Sequence, residues 1–197
     1  MLQARLAPIA AVGFRIFGYA GGLVLSRFAT LSPSALSSFY PSKSLIQLYH
    51  AVSILPSLIS VIIWWLMLDK SPLVLTTGLA RILAAALSVY ITASDSVSWH
   101  GNSAALYVGL TLLWMYILSR HNCPLQRTRG KIGAAYLVVL FLFMHFQGHY
   151  LSGGDGYATV VFLRLVQISL DIVFEILAYN DFSGVLLGVG YSKKYDV

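Results

Sequence analysis

The sequence predicts an all-α, polytopic membrane protein: a compact bundle of six transmembrane helices with both termini in the cytosol. Three observations predict it. Of the 197 residues, 58% are apolar and only 10% charged. Soluble domains carry about 45–50% apolar and about 25% charged residues, so this chain cannot clothe a water-facing surface. The apolar residues are gathered into runs of the length, about 20 residues, that a helix needs to cross the hydrocarbon layer. The breaks between runs are short and polar. An ordinary soluble enzyme and a disordered chain are both excluded, since disorder accompanies low hydrophobicity and high charge.

The first run, 8–26 (PIAAVGFRIFGYAGGLVLS), carries Arg15 and ends next to Arg27. No small-x-small cleavage site follows it, so it reads as a retained helix rather than a removed signal. The others cover 45–68, 73–93, 103–119, 132–151 and 157–179. Their linkers, SPSALSSFYPSK, DK, SDSVSWHGN, RHNCPLQRTRGK and SGGDG, are brief enough to make neighbouring helices antiparallel. One six-helix domain over 1–184 and a short cytosolic tail over 185–197 are expected.

Charge gives the direction. With the N-terminus cytosolic, Arg5, Lys70, Arg120, Arg127, Arg129, Lys131, Lys193 and Lys194 fall on the cytosolic side, and only Arg27 and Lys43 on the other. That distribution obeys the positive-inside tendency. Bases dispersed in this way make no nucleic-acid surface. The single cysteine, Cys123, allows neither an internal disulfide nor a cysteine-pair metal site.

Arg15, Arg81 and Arg164 remain, and all three fall inside spans. An ionised residue at mid-helix costs about 2.5–3.5 kcal/mol on insertion scales and normally turns inward to a partner. The last span supplies partners. Arg164, Gln167, Ile168, Asp171 and Glu175 recur at the three- and four-residue spacing of one helical face. Arg81 and Asp171 lie at matching depth from the cytosolic surface, so an ion pair of Arg81 with Asp171 or Glu175 is expected, with Arg15 as a competitor. The pair either locks the bundle or takes part in binding.

Four of the five histidines, His50, His100, His145 and His149, fall on the non-cytosolic side, with His100 in the loop before the fourth helix. Two chemistries fit such a group. Arg164 with histidines would match a phospholipid head group, because a guanidinium meets phosphate oxygens bidentately. A metal held by His and Asp would instead activate water, with a histidine moving protons. His145 and His149 share a helical face but lack the glutamate of a HExxH motif, so they are weak candidates. No metal or cofactor is assigned. SGGDG lacks a following Lys-Ser and reads as a turn. Gly18, Gly21 and Gly22 suit close helix contact. Trp64, Trp65 and Trp114 suit packing or interfacial anchoring. The terminal KKYDV is one register off a dilysine retrieval signal.

The stretch 88–106, SVYITASDSVSWHGNSAAL, resembles the helix end, short loop and HxN helix start of the FRAG/DRAM/SFK family. A second block agrees: His149, Tyr150 and the helix that closes with Asn180, Asp181 and Phe182 resemble the family's final helix. Tyr40, Pro41, Ser42 and His50 make a looser third match. The resemblance covers roughly 40–184 and lies nearest the branch of post-GPI-attachment, GPI-anchor lipid-remodelling factors and the related fungal ceramide-remodelling domain.

The resemblance picks out Tyr90, Ser94, Asp95, His100, Asn102, His149, Asp181 and Phe182 as family-type residues. Asp95 stands where the family has glutamate. Arg81 and Arg164 replace acidic residues, and Asp171 and Glu175 replace an asparagine and a histidine. Charge has been exchanged across the same two helices, which fits the expected pairing and weighs against a shared catalytic mechanism. The resemblance implies a six-helix protein of the endoplasmic reticulum or Golgi. Its lumenal-side pocket, from His50, Asp95, His100, Asn102, His149 and Arg164, would receive a membrane lipid such as a GPI anchor. The alternative it implies is a non-enzymatic subunit or DRAM-like regulator working with membrane-protein partners. A small transporter fits less well, because paired broken helices are missing.

Overall fold

The computed structural model describes residues 2–30, 41–91, 95–121, 125–153, 156–182 and 186–187. Tyr40, Ser94, Cys123, Asp155 and the KKYDV end lie outside the described residues, as do the side chains of Ser42, Gly21 and Gly22. The elements are β1 (Leu2–Gln3), α1 (Leu6–Thr30), α2 (Pro41–Met67), α3 (Pro72–Tyr90), α4 (Val97–Arg120), α5 (Gln126–Leu151), α6 (Tyr157–Ile176), α7 (Ala178–Asp181) and β2 (Leu186–Leu187). The protein is an all-helical, polytopic membrane bundle of six long helices, with one two-residue antiparallel pairing of β1 and β2.

Each long helix packs on its neighbours in sequence, and α6 returns to α1, so the six make a closed ring. The β1–β2 pairing brings the start of the chain to the residues beyond α7, which defines one end of the bundle, here the near end. α1, α3 and α5 run away from it. The apolar core fills the near half, where Trp64, Trp114, Met115, Tyr136, Phe174 and Phe182 are at most 2% exposed.

α1, α4 and α5 extend beyond the apolar runs that announce them, whereas α3 and α6 end three residues short, at Tyr90 and Ile176. Polar residues lengthen α4 and α5 at their starts. Ser96 caps α4, its side chain accepting from the Trp99 N–H at 3.4 Å, so the helix begins at Val97 and His100 stands on its first turn rather than in a loop. α5 begins at Gln126, which puts Arg127, Arg129 and Lys131 on the helix and not in the preceding linker.

The α2–α3 link is the tightest. Asp69 and Lys70 adopt φ of 51° and 56°, and the Lys70 N–H bonds back to the Trp65 carbonyl at 2.9 Å, a helix-ending bond of the Schellman kind. Pro72 then opens α3 where a missing N–H costs nothing. Pro56 lies within the continuous helix α2. Around it the hydroxyls of Ser53, Ser57 and Ser60 donate to the carbonyls of His50, Ser53 and Pro56 at 2.7–3.0 Å, which keeps these hydroxyls satisfied away from water.

The outward faces are apolar: Leu55, Leu83, Phe141 and Phe162 are each 60–66% exposed. Faces of this kind on every side of a bundle belong against hydrocarbon. Four spans, Ile46–Met67, Pro72–Tyr90, Ser98–Arg120 and Gln126–Tyr150, are long and apolar enough to cross a membrane. α6 has the length as well, but carries Arg164, Asp171 and Glu175 within it.

In lipid, helices attract through close packing rather than through expulsion of water, so small residues at the seams matter. Gly18 lets α1 meet α2, since a Cβ there would lie 2.9 Å from that of Tyr49. Gly78 is tighter, with a Cβ falling 2.7 Å from both Val61 methyls and 3.1 Å from the Trp114 ring. Gly78→Ala is expected to cost about 1–3 kcal/mol by overpacking. Thermal unfolding in detergent checks this, with recovery of most of the loss expected when Val61→Ala is added.

Candidate functional site

The inward face of α6 carries the polar stripe: Gln167 and Asp171 are buried, while Phe162, Leu165, Val173 and Ile176 face outward. Opposite Asp171 stands Arg81 of α3, only 5% exposed, and it uses all three of its nitrogens. Nη2 donates to Asp171 Oδ1 at 2.5 Å, Nη1 to Glu175 Oε1, and Nε to Thr111 Oγ1 of α4 at 3.0 Å. The remaining Asp171 oxygen accepts from the Tyr107 hydroxyl at 2.5 Å, and the Tyr107 ring lies 5.6 Å from the guanidinium carbon. Three helices are thereby joined across the ring. Arg15 does not compete for Asp171; its Nη2 donates to Ser57 Oγ at 3.1 Å.

A second buried pair lies at the near end. Arg129, fully buried, donates through Nε to Asp181 Oδ2 at 3.1 Å, and Nη2 bonds the same oxygen. Its guanidinium sits between the Trp64 and Phe174 rings, 4.9 and 4.8 Å from their centroids, a cation–π arrangement. Phe182 follows and meets Trp64 edge-on at 5.1 Å. The charge count places Arg129 in a cytosolic linker; it is instead a buried residue of α5. The signal against the linker placement was its spacing, since Arg129, Gly133 and Tyr136 share one face of α5.

At the far end, α4 and α5 stand apart and leave a cleft of about 490 Å³. Ala104, Val108, Leu140, Phe143 and Met144 make its apolar walls, and His100, Gln147 and Arg164 are its polar groups. His100 Nδ1 lies 2.8 Å from the Ile91 carbonyl, which can only accept, so Nδ1 carries the hydrogen and Nε2 is left as the nitrogen free to accept when the ring is neutral. Arg164 Nη1 donates to Gln167 Oε1 at 2.7 Å, and its guanidinium lies 5.8 Å from the Phe143 ring centroid. Among the described residues no carboxylate pairs with Arg164.

Arg164 also walls a smaller hollow behind the cleft. This hollow, about 60 Å³, has a mixed lining, with Arg15, Ser88, Tyr107, Tyr136, Gln167 and Asp171 beside Ile168 and Ile172. Nearer the cytosolic side by the expected orientation, a second groove on the same α4–α5 seam, about 310 Å³, runs between Met115 and Gly133 and is nearly all apolar.

The other expected pocket residues are placed apart. His50 is buried on α2, its ring 6.2 Å from that of Tyr90, in a separate chamber with Arg15. Asp95 and Asn102 are exposed beside the start of α4 and do not line the cleft. His145 and His149 are exposed on α5 and also do not line it. The described residues hold no group of three or more His, Cys, Asp or Glu able to bind a metal.

The chain is similar to Protein cwh43 of Schizosaccharomyces pombe, 24% identical over 171 residues that cover 82% of this chain. The match takes in 18% of that protein, so the chain spans less than a fifth of its relative's length. No family model matches, and no solved structure matches.

Removing one partner of a buried pair strands the other charge, which typically costs about 3–5 kcal/mol. Arg81→Ala and Asp181→Asn are therefore expected to lower folded yield and melting temperature sharply. The double swap Arg81→Asp with Asp171→Arg is expected to recover part of what either single swap loses, read as monodisperse protein in detergent.

Proposed function

We propose that this chain is a GPI-anchor lipid remodelling factor of the endoplasmic reticulum or Golgi, with the far end of the bundle facing the lumen. The observation that carries this reading is the cleft. Its walls are apolar, it lies between two membrane helices, and it contains a guanidinium that no carboxylate among the described residues neutralises. A lipid entering sideways between α4 and α5 would lay its chains along Val108, Leu140 and Met144 and its phosphate against Arg164. That is the geometry a guanidinium recognises well.

His100 Nε2 stands ready to accept a hydrogen bond from an inositol or glycerol hydroxyl, and is the group at the cleft suited to taking a proton. The resemblance of 88–106 to the FRAG/DRAM/SFK family supports this reading, since His100 belongs to the matching motif. The similarity to a fungal cwh43 protein points the same way.

A non-enzymatic membrane subunit is the second reading. It is favoured by the two buried arginine pairs, which join helices and tie Arg81 and Arg129 to structural carboxylates.

One experiment separates them. In cells lacking the endogenous chain, His100→Ala and Arg164→Gln are each expected to accumulate at close to the normal level. The lipid carried by a GPI-anchored reporter, read by mass spectrometry, is expected to shift toward the unremodelled species. His149→Ala, exposed on the outside of α5, is expected to leave it unchanged. Normal reporter lipids in both cleft variants at normal protein level would refute the remodelling function.

A further inference from the structure

Arg15 is a cation in the first span that no carboxylate among the described residues answers. Beyond its bond to Ser57, its Nε is buried with no hydrogen-bond partner among the described residues. Arg15, Arg164 and Asp171 line the hollow behind the cleft, but Asp171 is paired with Arg81, so neither lining arginine has a carboxylate partner among the described residues. Both Asp171 oxygens are taken, by Arg81 and Tyr107. An uncompensated charge inside a low-dielectric bundle is costly, and a bound anion removes that cost.

We propose that the hollow receives the phosphodiester of an anionic lipid seated in the cleft, gripped by Arg164 on one side and Arg15 on the other. This rests on the reading of the cleft as a lipid site and specifies its ligand: a monoanionic phospholipid rather than a neutral diacylglycerol or ceramide. The Nε2 of Gln167, buried and without a hydrogen-bond partner among the described residues, supplies a further donor at the same hollow.

Arg15 is held in place from behind. It shares a small chamber with His50, whose Nε2 is likewise buried and without a hydrogen-bond partner among the described residues. The chamber's volume of about 10 Å³ is close to the space one water requires. A water held there would accept from the Arg15 Nε–H and donate to His50 Nε2, satisfying both atoms. His50 is thus a positioning residue for Arg15.

The test uses the purified full chain in nanodiscs, with lipid retention by native mass spectrometry and melting temperature as readouts. The probes are phosphatidylinositol, diacylglycerol with the same chains, and inorganic phosphate. Phosphatidylinositol is expected to bind at least tenfold more tightly than diacylglycerol, and inorganic phosphate to give no stabilisation.

Arg15→Gln and Arg164→Gln are each expected to cut phosphatidylinositol binding about tenfold, with Arg15→Lys restoring part of it. Arg15→Gln removes an uncompensated charge, so the lipid-free melting temperature is expected to hold or rise; a purely structural arginine would lower it. His50→Gln, which keeps an acceptor, is expected to bind normally, and His50→Phe to bind like Arg15→Gln. Equal binding of diacylglycerol, full binding by Arg15→Gln, or equal stabilisation by inorganic phosphate would overturn the phosphodiester site while leaving the lipid cleft standing. Failure of both lipids to bind would overturn the cleft itself.

Discussion

A guanidinium in the middle of a hydrocarbon layer must be answered by the protein, and the way Arg81 is answered organises this molecule. It takes one carboxylate oxygen from Asp171, one from Glu175 and a hydroxyl from Thr111, so α3, α4 and α6 are fixed in rotation as well as in contact. Water competes for such bonds at a protein surface. Here nothing does, and the low local dielectric makes both the bonds and their absence count for more. A helix ring held together by packing alone tolerates rotation of its members; one pinned across its centre does not.

The pin divides the bundle into two unlike halves. Toward the near end, aromatic residues pack densely about Trp64, and Arg129 is clamped between two rings while Asp181 closes the short helix beneath it. Toward the far end, α4 and α5 diverge, cavities replace core, and Arg15 and Arg164 have no carboxylate partner among the described residues. Rigidity at one end and vacancy at the other suit a scaffold that holds a polar group at fixed depth while leaving a lateral opening.

The sequence made the large features legible because they rest on strong physical signals. Hydrocarbon demands long apolar runs, so six helices stand out. The cost of a buried charge is high enough that Arg81, Asp171 and Glu175 could be matched by depth and face alone. What escaped notice were features in which polar residues behave as helix or as core. Arg129 reads like every other base in a positively charged linker, and only its periodicity with Tyr136 betrays it. The histidines shared a side of the membrane but not a face of the ring, and same-side placement says nothing about rotation. Hence His100 reaches the cleft, His50 sits in its own chamber, and His149 is exposed.

The distance along the chain between Arg81 and its partners has a consequence for biogenesis. Asp171 follows Arg81 by 90 residues. At the usual 5–20 residues per second of synthesis, the arginine is made about 5–18 s before its counterion exists. For that interval α3 carries an unanswered charge and is a poor candidate for release into lipid. The sixth helix thus completes the fold rather than merely joining it: until it arrives, the earlier helices must linger in the shelter of the insertion machinery, and a chain truncated before α6 presents quality control with a bare arginine.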